Sequence, residues 1–242
     1  MEIKTELSRT AMLLGGDAVE RLTRARVAVF GLGGVGGALC EALARAGVGE
    51  LVLIDGDRVS LSNINRQIIA LHSTVGQLKT EVMAQRIADI NPDCRVTVHS
   101  IFYGTENADT VSFDRLDYVA DAIDTVTSKL IIIQRAQQAG VPVISAMGTG
   151  NKTDPSRLVL TDISKTDTCP LARVMRRELR LRGIHHLRVL FSREEPHTPD
   201  GKYCTDSANG RRLPPGTMAP VPNVAGLMIA GDIIKHITKN KN

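Results

Sequence analysis

The chain has 242 residues, enough for one large α/β domain or one and a half ordinary domains. With 43% hydrophobic and 23% charged residues it has the composition of a soluble globular protein, and no apolar run reaches the length of a membrane span. A net charge of +4 is compatible with an RNA partner, whereas 3% aromatic residues and no tryptophan exclude a well-supplied base-stacking platform, so such a partner would be met at its phosphates.

The opening residues, MEIKTELSRT, have no apolar signal core, so export is not expected. Cys40, Cys94, Cys169 and Cys204 are scattered and form no C-x-x-C pair. That excludes a structural tetrathiolate zinc site on ligand count and makes a reduced, cytoplasmic chain the simplest reading.

Residues 8–24 read as helical, with Ser8 placed to cap the start and Gly15-Gly16 breaking the run in two. Residues 27–30 are a short apolar run with β-branched members, the pattern of a buried strand. The turn GLGGVG, from Gly31 to Gly36, follows, and then an amphipathic helix over 38–46. A glycine turn between strand and helix gathers free backbone N–H groups and the positive end of the helix dipole, which suits a phosphate. Gly31, Gly33, Gly34 and Gly36 are therefore candidate nucleotide-binding residues. Gly31 allows the tight turn, Gly33 lets a ligand approach, and Gly36 lets helix and strand pack closely. A second strand at 51–54 ends at Asp55, about 20 residues on, where an acidic residue suits ribose hydroxyls.

Asp57, Asn63, Asn65, Arg66 and Gln67 come next, then Lys79 near the start of a helix over 77–90 that Asn91-Pro92 ends. A dinucleotide-binding half-domain has no need of this run. ATP chemistry does: Arg66 and Lys79 can neutralise the β- and γ-phosphates while carboxylate and amide oxygens take magnesium. Asp57, Asn63, Arg66 and Lys79 thus join the candidate set; the bland alternative for Arg66 and Lys79 is a pair of solvated surface charges. Residues 95–99 alternate like a strand tipped by His99. Residues 116–123 read as the next buried strand, followed by Asp124, which would also serve as the N-cap of a helix beginning near Thr127. Asp121, two positions earlier in the strand, would point the wrong way or lie buried. Another strand, 141–147, runs into Gly148-Thr149-Gly150, a flexible place for a substrate to approach a backbone. The βα alternation argues an α/β fold, a mostly parallel sheet with helices on both faces, to which residues 157–162 add a strand.

From Thr168 the composition shifts. Cys169-Pro170 opens a helix, with proline in a favourable first-turn position. At 100° per residue Arg173, Arg176, Arg177 and Arg180 share one stripe, and Leu171, Val174, Met175 and Leu179 lie on the other side. The stripe is either a rail for an RNA backbone or a solubilising face. Glu178 falls within the apolar side without an evident partner. The histidines His185-His186 lack further ligands for a metal and precede a strand over 187–191. Residues 192–219 have little periodicity and carry Arg211 and Arg212, a second basic spot; a run of this length is a functional lid or disordered. A helix over 221–237 closes the chain. These elements divide a single domain, 1–242, into a nucleotide-binding core, 1–163, and a substrate-facing region, 164–242.

GLGGVGG, LIDGDRV, SNINRQ, Lys79 and DAIDT at 121–125 together resemble the ThiF/MoeB/ubiquitin-E1 family of ATP-dependent carboxylate-activating enzymes, over about residues 9–163. The remainder, with ISKTDTCPLARVMRRELR, FSREEP and PVPNVAGL, is similar to one branch, the tRNA threonylcarbamoyladenosine dehydratases, which convert the linear modified adenosine at position 37 of tRNA to its cyclic form. The resemblance implies a Rossmann-like E1 fold, ATP with Mg2+, and Asp124 as the magnesium ligand. It implies that Arg9 reaches the ATP phosphates of a neighbouring subunit, making the enzyme a homodimer with composite sites; alternatively Arg9 is a surface residue. The implied catalytic set is Arg66, Lys79, Asp124 and Arg9. The implied partners are tRNA, met by Arg173, Arg176, Arg177, Arg180, Arg211 and Arg212, and a sulfur-relay or other helper protein. The sequence departs from many E1 relatives in lacking the zinc tetrathiolate, and from other dehydratases in lacking a cysteine near PVPNVAGL.

Cys169, at a helix start among arginines, is either an activated thiol or a small helix-start residue. Closing a carboxylate onto a neighbouring group of the same nucleoside needs no covalent enzyme intermediate. Two other functions remain open. The nearer is an E1-like adenylyltransferase for a ubiquitin-like sulfur carrier, using Cys169. The farther is an NAD-dependent oxidoreductase or a non-catalytic Rossmann RNA-binding module, neither of which explains Arg66, Lys79 and Asp124 together.

Overall fold

The computed structural model describes residues 3–203 and 214–239. Seven strands form one sheet: β1 (Arg26–Phe30), β2 (Glu50–Ile54), β3 (Arg95–His99), β4 (Tyr118–Asp121), β5 (Val143–Ala146), β6 (Leu158–Asp162) and β7 (Arg188–Ser192). Their order is β3-β2-β1-β4-β5-β7-β6, parallel throughout except for β6, which runs antiparallel to β7 at the edge. The chain therefore moves outward from β1 in one direction to β2 and β3, then returns to place β4 on β1's other side. The carboxyl ends of β1 and β4 flank that reversal, the point at which open α/β sheets take ligands.

Among the described residues there are seven α-helices, α1 (Ser8–Leu14), α2 (Gly16–Arg24), α3 (Gly34–Arg45), α4 (Lys79–Ile90), α5 (Val126–Gln138), α6 (Pro170–Arg180) and α7 (Pro220–Thr238), and all but α1 bury residues in the core. The period-two alternation of the strands decides which face each residue serves. Val27 and Val29 of β1 pack with Leu39 and Leu43 of α3 and Ala225 and Ile229 of α7, whereas Ala28 and Phe30 pack with Tyr103, Phe113 and Ile132 on the other face. A third cluster, with Met175 and Leu179 of α6 against Ile133, Val189 and Phe191, extends the core beneath β7. Each fully buried Val, Leu, Ile, Phe or Met side chain among these contributes about 1.5–3 kcal/mol through removal from water.

The closing helix is more than a lid on the core. A β-carbon at Gly226 would overlap the Val35 carbonyl, so glycine there lets α7 lie directly on α3. Asp232 of α7 accepts two parallel bonds from Arg188 of β7, at 2.6 and 3.0 Å. Gly15 does break the first helical run, with φ at +86°. Several expected elements are trimmed: the helix expected from 77 begins at Lys79, and the strand expected over 116–123 spans only Tyr118–Asp121. The stretch Gly148-Thr149-Gly150, expected to be flexible, runs into an anchored residue. Gly150 packs on Pro215, and the next residue, Asn151, at φ +59°, is held on three sides. Its N–H donates to the Gly216 carbonyl, its side-chain oxygen accepts the Gly216 N–H, and its carbonyl accepts the His197 N–H.

Candidate active site

The glycine turn lies where β1 ends. Gly31 adopts φ +87°, donates its N–H to the Ile54 carbonyl at 2.8 Å, and leaves no room for a β-carbon, which would sit 2.8 Å from the Ala122 carbonyl oxygen. The first residue after β1 is thus wedged between the ends of β2 and β4. Gly36 closes the helix onto the turn, since a β-carbon there would overlap the Gly31 carbonyl. Gly33 differs: the nearest neighbour to a β-carbon would be Gln67 Nε2 at 3.8 Å, so its face is open to an incoming group. Gly34 is occupied differently from the other three. Its missing side chain makes way for Pro222 of α7, at 2.9 Å, and the Arg66 carbonyl, at 3.3 Å.

Asp55, just past β2, accepts the N–H of Leu32 at 2.6 Å through one oxygen and that of Asp57 at 2.8 Å through the other. Its carboxylate is thereby fixed against the turn. Burial pushes its pKa up, against the opposing pull of Lys79 and the two N–H groups. Lys79 opens α4 and is only 5% exposed. Its Nζ lies 2.8 Å from Asp57 Oδ2, and its N–H donates to the Asp57 carbonyl. Lysine and aspartate thus meet through side chain and backbone, 22 residues apart.

The segment between them forms a tight turn. Asn63 Oδ1 accepts the Ser60 N–H at 3.2 Å, so this buried amide first holds its own turn. Arg66 donates to the Ser62 carbonyl at 2.7 Å and to Asn65 Oδ1 at 3.0 Å. Its own carbonyl accepts from Asn223 Nδ2 on α7 at 3.1 Å, and Asn65 Nδ2 reaches the Thr217 carbonyl at 2.8 Å. The C-terminal helix and the residues before it therefore brace this turn from a distance in sequence that no local pattern reports.

At the end of β4, Asp124 is exposed and accepts a long bond from the Thr125 hydroxyl at 3.4 Å. It is not the N-cap of α5; Thr125 occupies that position and the helix starts at Val126. Asp121 lies buried, as expected, and its partner is one that sequence reading missed: Lys129, fully buried on α5, at 2.9 Å.

The remaining expectations divide. Arg9 is exposed on α1, which buries none of its residues and leaves Met12 87% exposed; within one chain Arg9 makes no hydrogen bond or ion pair among the described residues. On α6 the buried residues are Ala172, Met175 and Leu179, while Val174 is exposed, which corrects the expected apolar side. Arg176 flanks that buried stripe, half-buried, and donates to the Thr166 carbonyl. Glu178 does have partners, since Arg177 and Arg182 hydrogen-bond to it and hold its pKa down. Arg173 and Arg180 stay exposed. Arg211, Arg212 and Cys204 lie outside the described residues. Cys169 is 2% exposed and packs in the third core cluster. His99 titrates low because of burial. His186 pairs with Asp162 at 3.3 Å, and no group of three or more potential metal ligands occurs among the described residues. No helix among them is long and apolar enough to cross a membrane.

The model of the ThiF family matches residues 7–242. A Bacillus subtilis tRNA threonylcarbamoyladenosine dehydratase is 43% identical, the alignment covering 97% of this chain and 95% of that protein. The crystal structure of the Escherichia coli tRNA N6-threonylcarbamoyladenosine dehydratase TcdA in complex with ATP superposes with a TM-score of 0.86 at 33% identity, covering 98% of this chain and 97% of that one. The adenylyltransferase and sulfurtransferase UBA4 of Vanderwaltozyma polyspora is 37% identical over 54% of this chain and 30% of its own length.

Proposed function

The chain belongs to the ThiF family, and from that premise we propose that it dehydrates N6-threonylcarbamoyladenosine at position 37 of tRNA to the cyclic form, using ATP to activate the threonyl carboxylate. The observation that carries this reading is the meeting of an open glycine turn, the fixed Asp55 carboxylate, Lys79 and Arg66 beyond the carboxyl ends of β1 and β2, in a chain alike end to end to named dehydratases.

The residues fit an ATP–Mg2+ complex. Gly33 presents an open backbone face at the N-terminus of α3, and Asp55 is oriented for the ribose. Lys79 exchanges Asp57 for phosphate oxygens, and Arg66, held by Asn65 and Asn223, adds charge from the braced turn. Asp124, exposed and without a cationic partner among the described residues, is the group that would hold Mg2+. Bound there, the ion would neutralise charge on the transferring phosphates. Asn63 serves by keeping the turn in shape. Arg9, on a helix with apolar residues exposed beside it, completes the site of a second copy, which makes the working unit a homodimer.

The chemistry then needs little from the protein beyond positioning. The threonine-derived carboxylate oxygen attacks a phosphorus of ATP and forms a mixed anhydride, expelling pyrophosphate if the α-phosphorus is attacked or ADP if the γ-phosphorus is. The neighbouring carbamoyl group closes on the activated carbon, and the carboxylate oxygen leaves with the phosphate or nucleotide. Nucleophile and electrophile share one molecule, so holding them in register supplies most of the acceleration. Arg173, Arg177 and Arg180 face solvent on α6 and suit the tRNA backbone. The whole chain acts as one unit in the cytoplasm, where its substrate is.

The rival reading is adenylation of a ubiquitin-like sulfur carrier. It is weakened by the burial of Cys169 and by the partial reach of the likeness to UBA4. The test is nucleoside mass spectrometry of tRNA incubated with purified protein, ATP and Mg2+. Loss of one water from threonylcarbamoyladenosine, absent with Lys79→Ala or Asp124→Ala, supports the dehydratase. An unchanged mass, with ATP–pyrophosphate exchange stimulated by a carrier protein, refutes it.

A further inference from the structure

Lys129 and Asp121 are charged, fully buried and outside the phosphate-facing set. Lys129 Nζ uses all three of its protons: to Asp121 Oδ2 at 2.9 Å, to Ser145 Oγ at 3.1 Å and to the Ala146 carbonyl at 2.8 Å. Asp121 Oδ2 also accepts from the Ser145 hydroxyl at 2.5 Å, and Oδ1 accepts the Ile123 N–H at 3.2 Å. Dehydrating two charges is so costly that a packed apolar pair would serve stability as well, so stability alone is a weak reason for the cluster.

Its place in the fold supplies a better one. Asp121 is the last residue of β4, and Lys129 reaches back to it from α5, so the pair clamps both ends of the loop 122–125. The Thr125 carbonyl accepts the first helical bond of α5, from the Lys129 N–H, so the loop's far end is the start of that helix. Ser145 and Ala146 tie the clamp to β5. Inside the loop sit Ala122, whose carbonyl abuts Gly31, and Asp124. We infer that Lys129, Asp121 and Ser145 form a positioning cluster: they fix the loop so that Asp124 meets the nucleotide's Mg2+ and Ala122 backs the glycine turn. The inference rests on the reading of Asp124 given above and deepens it, because it assigns the fidelity of that contact to residues that touch neither ion nor nucleotide.

The test measures ATP affinity calorimetrically against Mg2+ concentration, alongside thermal melting. In the wild-type protein Mg2+ strengthens ATP binding, and Asp124→Ala removes the effect. If either fails, the reading of Asp124 falls and this inference with it. The double variant Asp121→Asn/Lys129→Met removes both buried charges together. It is expected to melt close to wild type yet to need about ten-fold more Mg2+ for half-maximal strengthening, the usual scale for losing an outer-shell support of a metal ligand. The milder Ser145→Ala keeps both charges and is expected to raise the requirement as well, by less than the double variant does. A wild-type Mg2+ requirement in folded Ser145→Ala and in the folded double variant would overturn the positioning role and leave only a structural one.

Discussion

Replacing Lys79 with methionine separates the two things this residue does. The apolar stem is kept, so packing at the start of α4 is retained; the charge is lost. Its partner Asp57 is 53% exposed, so the aspartate left behind is rehydrated rather than stranded. An ion pair of that kind is worth about 0–1 kcal/mol, which corresponds to a fall of about 2–4 °C in melting temperature at most for a chain of this size. In the reaction the ammonium faces phosphate oxygens in a partly dehydrated site, where loss of one such donor costs about 3–4 kcal/mol, or 10²–10³ in kcat/KM. Lys79→Met should therefore be folded and nearly inactive. Asp57→Asn should show the reverse asymmetry in stability, because the lysine it leaves is only 5% exposed. A buried charge without its partner costs about 1–3 kcal/mol. The assay pairs thermal melting with single-turnover conversion of tRNA. The reasoning is refuted if Lys79→Met converts tRNA within ten-fold of wild type, or if it melts lower than Asp57→Asn.

Four further outcomes follow from the geometry. Gly36→Ala places a methyl group on the Gly31 carbonyl and forces the turn apart; it should cost about 1–3 kcal/mol in chemical denaturation and weaken ATP binding. Glu194 accepts from Thr153 and Asp154 N–H and from His197; although burial works to raise its pKa, these bonds hold it at about 2, below the ordinary 4.5. A depressed carboxylate stabilises the fold above its unfolded value and loses that contribution as pH falls towards about 2, so the melting difference between wild type and Glu194→Gln should be full at pH 7 and shrink below pH 4.5. Arg173→Ala/Arg180→Ala should weaken tRNA binding and reduce the salt slope by about 0.7–0.9 for each phosphate that is no longer neutralised, with melting unchanged. Arg176→Ala should instead lower the melting temperature, since its guanidinium holds Thr166. Filter binding across a salt series and calorimetry distinguish them.

What was legible in the sequence was local. The strand-glycine-helix junction, the acidic residue after β2 and the helix-opening lysine each announce themselves within a few positions, because turn chemistry and periodicity act at that range. What escaped depends on how the elements are brought together and which way their side chains turn, whether the residues are near or far in the chain. Lys129 looks in sequence like one more polar position on a helix; only the return of α5 over the end of β4 brings it to Asp121. The hydrogen bond from Asn223 to Arg66 spans 157 residues, and the seat of Pro222 on Gly34 is of the same kind. On α6 a side chosen for its large apolar residues puts Val174 inside, yet the buried stripe runs through Ala172, Met175 and Leu179 and leaves Val174 exposed, with Arg176 beside it bonded to Thr166. Glu178 was without a partner on the wheel because one partner, Arg182, lies just beyond the helix end.

The central claim is that the carboxylate of the modified adenosine is activated by transfer of phosphorus to one of its oxygens. It is tested by labelling that carboxylate with oxygen-18 in threonylcarbamoylated tRNA and analysing every product of a single turnover by mass spectrometry. The account predicts one labelled oxygen in the released phosphate or nucleotide and one in the cyclic nucleoside. Label lost to water, with none on phosphorus, would contradict it.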